Sequence, residues 1–353
     1  MRQPTRLQSP AELTLDMNSA EQADSAGVPA PDAPDWMDEI DRAGDRLTPY
    51  LPPTPLIVSR HLSAVLQRPV WLKLESVQPV GAFKVRPAFN SILAHLQLSR
   101  EAGVVTNSSG NFAQAVAYAA STLGVDSTIV MMRGASAFKR ERTRRFGGNV
   151  VLCEDSFASR FETTERIQRE SGRLLVHPFD SMETIAGDGT LGRELLAQID
   201  GDFCLFVPIS GGGLIAGTAL AVKAARPGCR ILGAQAVANP SMKRSLEHGQ
   251  RTRTVPTKSM ADALTVPEPG MNTFPIVQTL VDDVHLVSEA RMVSTIRDLA
   301  LQDKQVVEAG AAVSVAAALE HAPTDGSDLP IVCVLSGGNI DPAALSSILC
   351  PIQ

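Results

Sequence analysis

Short apolar runs rich in β-branched residues recur along the chain: PVWLKLE (69–75), GVVTNSS (103–109), STIVMM (127–132), NVVLCE (149–154), LFVPIS (205–210), CRILGAQAV (229–237) and LPIVCVLS (329–336). They are apolar on both alternating faces, which predicts strands covered from above and below. Between them lie Ala- and Leu-rich stretches of helical length, such as NFAQAVAYAASTLG (111–124) and LIAGTALAVKAA (214–225). Strands and helices in alternation predict an α/β protein built on parallel sheets. Residues 1–40 break the pattern. They are rich in Ala, Pro, Asp, Ser and Gln, carry too little apolar surface to offset their ordering entropy, and are expected to form a disordered arm. No internal repeat is visible.

Composition narrows the class. The chain has 353 residues, 44% hydrophobic and 20% charged, enough for one large core or two ordinary ones. A formal net charge of −6 leaves no electrostatic footprint for nucleic acid or an anionic membrane surface. The basic run KRERTRR (139–145) reads as a solvated helix face. No apolar run approaches the roughly 20 residues of a membrane span, and the N-terminus lacks a signal-peptide pattern. Cys153, Cys204, Cys229, Cys333 and Cys350 are scattered without CxxC spacing, which argues against a disulfide framework or a zinc site. A cytoplasmic enzyme with a small-molecule substrate is expected, with neither nucleic acid nor membrane as partner.

Parallel sheets place ligands beyond the carboxyl ends of their strands. Two turns stand out there. In SGGGLIAG (210–217), consecutive glycines let backbone N–H groups converge on an anion at the start of a helix. The turn lacks the Lys-Ser/Thr of a nucleotide P-loop and the spacing of a dinucleotide fingerprint, so the phosphate belongs to another ligand. In TNSSGNFAQA (106–115), Ser108, Ser109 and Asn111 offer hydroxyls and an amide beside free helix N–H groups, suited to a carboxylate or a phenolic oxygen. Ser336, in LSGGNID (335–341), stands at a strand end facing the same crevice. In GAFKVRPAFN (81–90), Phe83 and Val85 flank Lys84 and would desolvate its amine, as a nucleophilic lysine requires. Taken singly, the turns serve equally as helix caps, and a lone lysine of this kind far more often snorkels from a helix than acts as a nucleophile.

Ten motifs then occur in one order: TPL (54–56), KLE (73–75), AFKVR (82–86), SSGNFAQA (108–115), HPFD (177–180), IAGDGT (185–190), SGGGLIAG (210–217), MNTFPI (271–276), VVEAGAA (306–312) and SGGNID (336–341). In this the chain resembles the fold-type II enzymes dependent on pyridoxal 5'-phosphate (PLP), specifically the threonine dehydratase and serine racemase branch, from about Thr54 to Leu345. The resemblance implies a tryptophan synthase β-like fold of two three-layer α/β/α domains with PLP in the cleft. Residues 41–78 and 172–353 would form the large cofactor-binding domain and 79–171 the small, substrate-contacting one. It implies that Lys84, beside Phe83, carries PLP as a Schiff base and moves the α-proton. It further implies that Gly211, Gly212, Gly213 and Leu214 hold the phosphate, that Asn111 contacts the ring hydroxyl, and that Ser336 contacts the pyridine nitrogen. A neutral hydroxyl there makes the ring a weaker electron sink than a carboxylate would, which favours loss of a β-leaving group. Ser108, Ser109, Gly110, Asn111 and Phe112 would meet the substrate, and Ser109 matches the racemase serine opposite the lysine. The activity implied is that of an ammonia-lyase converting a threonine- or serine-like β-hydroxy-α-amino acid to a 2-oxo acid and ammonia, in a homodimer. An amino-acid racemase is the alternative. A non-catalytic PLP- or amino-acid-binding protein is the reading from another class.

The departures from the family pattern carry their own expectations. Val80 and Ala82 replace two hydroxyl residues near Lys84, drying the pocket, and Phe112 replaces a histidine where the substrate side chain lies. Pro87 replaces a glycine, which a first helical turn tolerates. Asp188 stands where the family often has Gln, with no consequence assigned. No metal is expected: Lys258 occupies the position aligned with an acidic metal ligand and either pairs with the retained Glu308 or lies on the surface beside it. The chain ends about a dozen residues after SGGNID, without room for a regulatory domain, which fits a catabolic enzyme.

Overall fold

The apolar runs form strands, joined by three short strands that the pattern did not announce. In chain order they are β1 (Leu56–Val58), β2 (Val70–Leu74), β3 (Val104–Asn107), β4 (Ser127–Met132), β5 (Asn149–Cys153), β6 (Leu174–Leu175), β7 (Cys204–Pro208), β8 (Arg230–Ala236), β9 (Asp283–Val287) and β10 (Ile331–Leu335). This computed structural model describes residues 35–255, 257–324 and 328–350. Six strands make one sheet in the order β1-β2-β10-β7-β8-β9, and four make a second in the order β5-β4-β3-β6. Only β1 runs antiparallel, against β2. The unannounced strands explain themselves: β1 and β6 are too short to show a period, and β9 (DVHLV) interrupts its apolar face with Asp283 and His285. β6 also lies past residue 171, so the smaller sheet draws on residues 104–175.

Burial on two faces accounts for the unbroken apolar runs. Along β10, Ile331, Cys333 and Leu335 enter a core shared with the helix Ala309–His321, whereas Val332 and Val334 enter one shared with the helix Gly213–Ala225. Both sets are essentially inaccessible, and each such aliphatic side chain contributes about 1.5–3 kcal/mol. A separate core, including Val85, Phe89, Val104, Phe112 and Ile129, holds the smaller sheet to its helices.

The expected arm is corrected at its end. Residues 1–34 lie outside the described residues, but 36–40 belong to the helix Trp36–Leu47, capped by the Asp35 carboxylate. Ile40, Ala43 and Leu47 recur on one helical face and are buried, so this stretch has the apolar surface that folding needs. The KRERTRR run is helical too, but not merely solvated: Lys139 pairs with Asp262, and Arg142 Nη1 donates to Asn339 Oδ1 at 2.6 Å. None of the five cysteines is in a disulfide among the described residues, and no helix among them is long and apolar enough to cross a membrane.

Candidate active site

The carboxyl ends of β3, β7 and β10 open on one cavity of about 990 Å³, lined by Phe83, Lys84, residues 108–112, residues 211–214, Glu308 and Ser336. Every residue expected to touch cofactor or substrate therefore lines it. Lys84 sits at the N-cap of the helix Val85–Ala94. Its Nζ donates to the Pro178 carbonyl at 2.7 Å and lies 4.7 Å from the Phe83 ring and 5.4 Å from the Phe112 ring. The side chain is part-buried, and burial pushes its amine below the ordinary lysine range, opposed by Asp188.

Lys84 is brought to Ser336 by a contact that no local pattern reveals. Ala82 and Gly337 form an antiparallel bridge; Phe83 N donates to Ser336 O at 3.0 Å and Gly338 N to Gly81 O at 2.8 Å. This ties the lysine turn to the end of β10 across more than 250 residues of sequence. The motifs KLE, TPL and AFKVR meet behind it. Arg86 pairs with Glu75 at 2.8 Å and Glu194 at 2.6 Å; Lys73 pairs with Glu194 at 2.6 Å; and Thr54 Oγ1 donates to Glu75 Oε1 at 2.6 Å. Lys73, Glu75 and Arg86 are all nearly inaccessible, with two cations facing two carboxylates. TPL, KLE and Arg86 buttress the lysine from behind and do not themselves line the cavity.

The glycine turn is shaped by its back wall. A Cβ at Gly211 would lie 2.3 Å from the Phe179 ring, and one at Gly213 would lie 2.8 Å from Phe179 O and 2.9 Å from Asp188 Oδ2. Gly212 has φ +104°, a left-handed conformation that other residues rarely adopt. Gly211 O accepts from Thr273 Oγ1 at 2.7 Å and Gly270 N at 3.1 Å, which fixes the turn while the first amides of the helix Gly213–Ala225 lack intrahelical acceptors. HPFD and MNTFPI serve this wall: the Asp180 carboxylate accepts from Met271, Asn272 and Thr273 N at 2.8–3.1 Å. Nδ1 of His177 accepts from Asp180 N at 2.9 Å, and burial keeps that ring below its ordinary pKa.

On the β3 side, Gly110 N donates to Ser108 Oγ and Met132 N to Ser109 Oγ, both at 3.3 Å. Asn111 is held at both ends, donating to Glu308 Oε1 at 2.6 Å and accepting from Asn339 Nδ2 at 2.9 Å. Burial, and secondarily Asp262, push the Glu308 carboxyl up to about 7 against Lys139, the Asn111 bond and Arg142. Lys258 plays no part. It is exposed and in no ion pair among the described residues, while Lys139 and Arg142 supply the positive field at Glu308. Of the two readings of Lys258, the surface one holds.

Arg160 was missed. It lines the cavity, lies 4.8 Å over the Phe157 ring, and has a buried Nε with no hydrogen-bond partner among the described residues. Its only sequence signal is its place in the first turn of the helix Phe157–Ser171 that follows β5, which many surface arginines share.

A family model described as "Pyridoxal-phosphate dependent enzyme" matches residues 47–337. The chain belongs to this family. Among similar proteins, the L-threonine ammonia-lyase of Geobacter sulfurreducens is 41% identical over 310 residues, covering 88% of this chain and 77% of that protein. A serine racemase of Oryza sativa subsp. indica is 38% identical over 306 residues, covering 86% and 90%. Maize serine racemase superposes with a TM-score of 0.84 at 38% identity, covering 87% of this chain and 94% of that one. For the threonine deaminase of T.th. the values are 0.81, 39%, 86% and 98%. The architecture is the expected fold-type II arrangement, and the enzyme is PLP-dependent. The cavity fits that cofactor: it joins a desolvated amine to a side-chain-free turn at a helix start, the combination that an aldehyde bearing a phosphate requires.

Proposed function

We propose that the protein is an ammonia-lyase that converts a threonine- or serine-like β-hydroxy-α-amino acid to a 2-oxo acid and ammonia. One observation carries the reading: the Lys84 amine, the glycine turn and the Ser336 hydroxyl converge on a single cavity. The likeness to enzymes named threonine ammonia-lyase and threonine deaminase supports it.

In this reading the amides of residues 211–214 hold the phosphate, Lys84 is the attachment point, and Asn111 and Ser336 flank the ring. PLP, when bound, withdraws electrons from the substrate's α-carbon, which makes its proton acidic and lets the β-hydroxyl leave. Lys84 Nζ takes the proton from that carbon, and burial, by lowering its pKa, favours the unprotonated amine that this needs. Ser108, Ser109 and the first amides of the helix Asn111–Leu123 receive the substrate carboxylate, with the unpaired Arg160 as a nearby cation. Phe112, buried beside Lys84, presents an apolar face to the β-substituent. The same reading makes 79–171, extended to 175 by β6, the smaller domain, 41–78 and the rest of 172–353 the larger, and the enzyme a cytoplasmic homodimer.

A racemase is the second reading, favoured by Ser109, which lines the Lys84 cavity and accepts a backbone N–H while its own proton stays free. A panel of threonine, serine, 3-hydroxyaspartate and phenylserine, scored for 2-oxo acid and for enantiomer, separates the two. Ketoacid release sustains the lyase; inverted amino acid without ketoacid replaces it by the racemase.

A further inference from the structure

Asp188 lies in the helix Met182–Gln198, wholly inaccessible, with neither carboxyl oxygen hydrogen-bonded among the described residues. It stands directly behind the glycine turn, its Oδ2 2.9 Å from where a Cβ on Gly213 would lie. A buried carboxylate without a donor is costly, and a phosphate dianion on the other side of Gly213 would repel it further. We propose that Asp188 is a proton-accepting back wall of the phosphate cradle, taking up one proton from solvent when a phosphate monoester enters the turn. This rests on the placement of the phosphate at residues 211–214.

The charges around Asp188 leave it one adjustable neighbour. Glu75 and Arg86 also face it, but Arg86 is committed to Glu75 and Glu194, and Lys73 to Glu194. From the helix Gly213–Ala225, Gly213 and Gly217 approach it and carry no charge. Lys84 is left, acting through space without an ion pair, and burial lowers the pKa of His177, which faces Lys84, disfavouring its charged form. Burial, with Glu75 adding to it, pushes the Asp188 carboxyl up to about 7 despite Lys84 and Arg86, so the free chain holds it mostly ionised at pH 8 and mostly protonated at pH 6. The phosphate then replaces Asp188 as the negative charge beside Lys84, and Asp188 becomes a neutral acid. A glutamine or asparagine at this position could not make that exchange.

The test is calorimetric titration of the cofactor-free full-length chain with pyridoxine 5'-phosphate, which has the phosphate but no aldehyde, in buffers of different ionisation enthalpy. Wild type minus Asp188→Asn should show uptake of roughly 0.9 proton at pH 8 and about 0.1 at pH 6. The infrared carbonyl band of a protonated acid should appear on binding at pH 8 in wild type and be absent from Asp188→Asn. Equal proton uptake in the two proteins, or no such band in wild type, would overturn the proposal while leaving the cradle intact. Gly212→Asp controls the premise: it should lose affinity for the analogue by orders of magnitude, and unchanged affinity would overturn the cradle and the Asp188 proposal together.

Discussion

Arg86 and Lys84 stand two residues apart, both largely shielded from water, in opposite electrical settings. Arg86 meets two carboxylates at 2.6–2.8 Å, which hold its guanidinium well above its ordinary pKa. Among the described residues Lys84 meets a carbonyl and two rings, with Asp188 acting on it through space, and burial pushes its amine down. The difference separates a charge used to build from a charge kept available for chemistry. A buried cation paired on every side is fixed and cannot act as base or nucleophile. One held in a cavity without a direct counter-ion is ready to lose its proton and bond to carbon.

Removing each side chain is the most direct way to break the comparison. Lys84→Ala should lower turnover by roughly four orders of magnitude or more and abolish cofactor attachment, read from 2-oxo acid release and from the visible absorbance of the purified protein. The cofactor-free variant should keep its stability within about 1 kcal/mol, because no ion pair is lost. Retained turnover would show that the amine is not the working group. Arg86→Met should do the reverse, leaving Glu75 and Glu194 without their shared cation and costing about 3–5 kcal/mol in urea unfolding at unchanged m-value.

Glu308 falls between the two cases, buried with one direct donor, Asn111. Its carboxyl titrates near 4.5 when unfolded and near 7 in the fold, so the folded chain binds more protons between those values. Its contribution to stability is complete below pH 4.5 and lost as pH rises through 7. In the cofactor-free protein, Glu308→Gln should flatten that decline by on the order of 3 kcal/mol, checked by urea midpoints at several pH values. A variant tracking the wild-type slope would assign the decline elsewhere.

Two smaller effects sharpen the picture. If, as proposed, buried Phe112 faces the β-substituent with a ring that cannot donate a hydrogen bond, phenylserine or threonine should outperform 3-hydroxyaspartate in kcat/KM. Phe112→His should narrow that preference by about tenfold, and the opposite ranking in wild type would place the side chain elsewhere. Lys258→Glu, on an exposed unpaired lysine, should shift the melting temperature by no more than about 2 °C with or without EDTA. A large shift would restore its link to Glu308.

Local signals carried much of this protein. A parallel α/β fold was legible because strands buried on both faces need unbroken apolar runs, and β10 supplies Ile331, Cys333 and Leu335 to one core and Val332 and Val334 to the other. The glycine turn at a helix start was legible because it depends on consecutive residues, Gly211 to Leu214. What the sequence could not decide was which charges meet. Glu75 and Arg86 carry no mark of Glu194, more than 100 positions away, and nothing in the sequence chose between Lys258 as a partner for Glu308 and Lys258 as a surface residue, whereas in the fold Lys139 and Arg142 supply the positive field there. Asp188 was visible only as an oddity in IAGDGT; its lack of any donor follows from the packing of the helix Met182–Gln198 against Gly213 and Gly217. Periodicity and turn chemistry act over a few residues and are written in order along the chain. Desolvation and charge pairing act through space, and only the tertiary structure sets those distances.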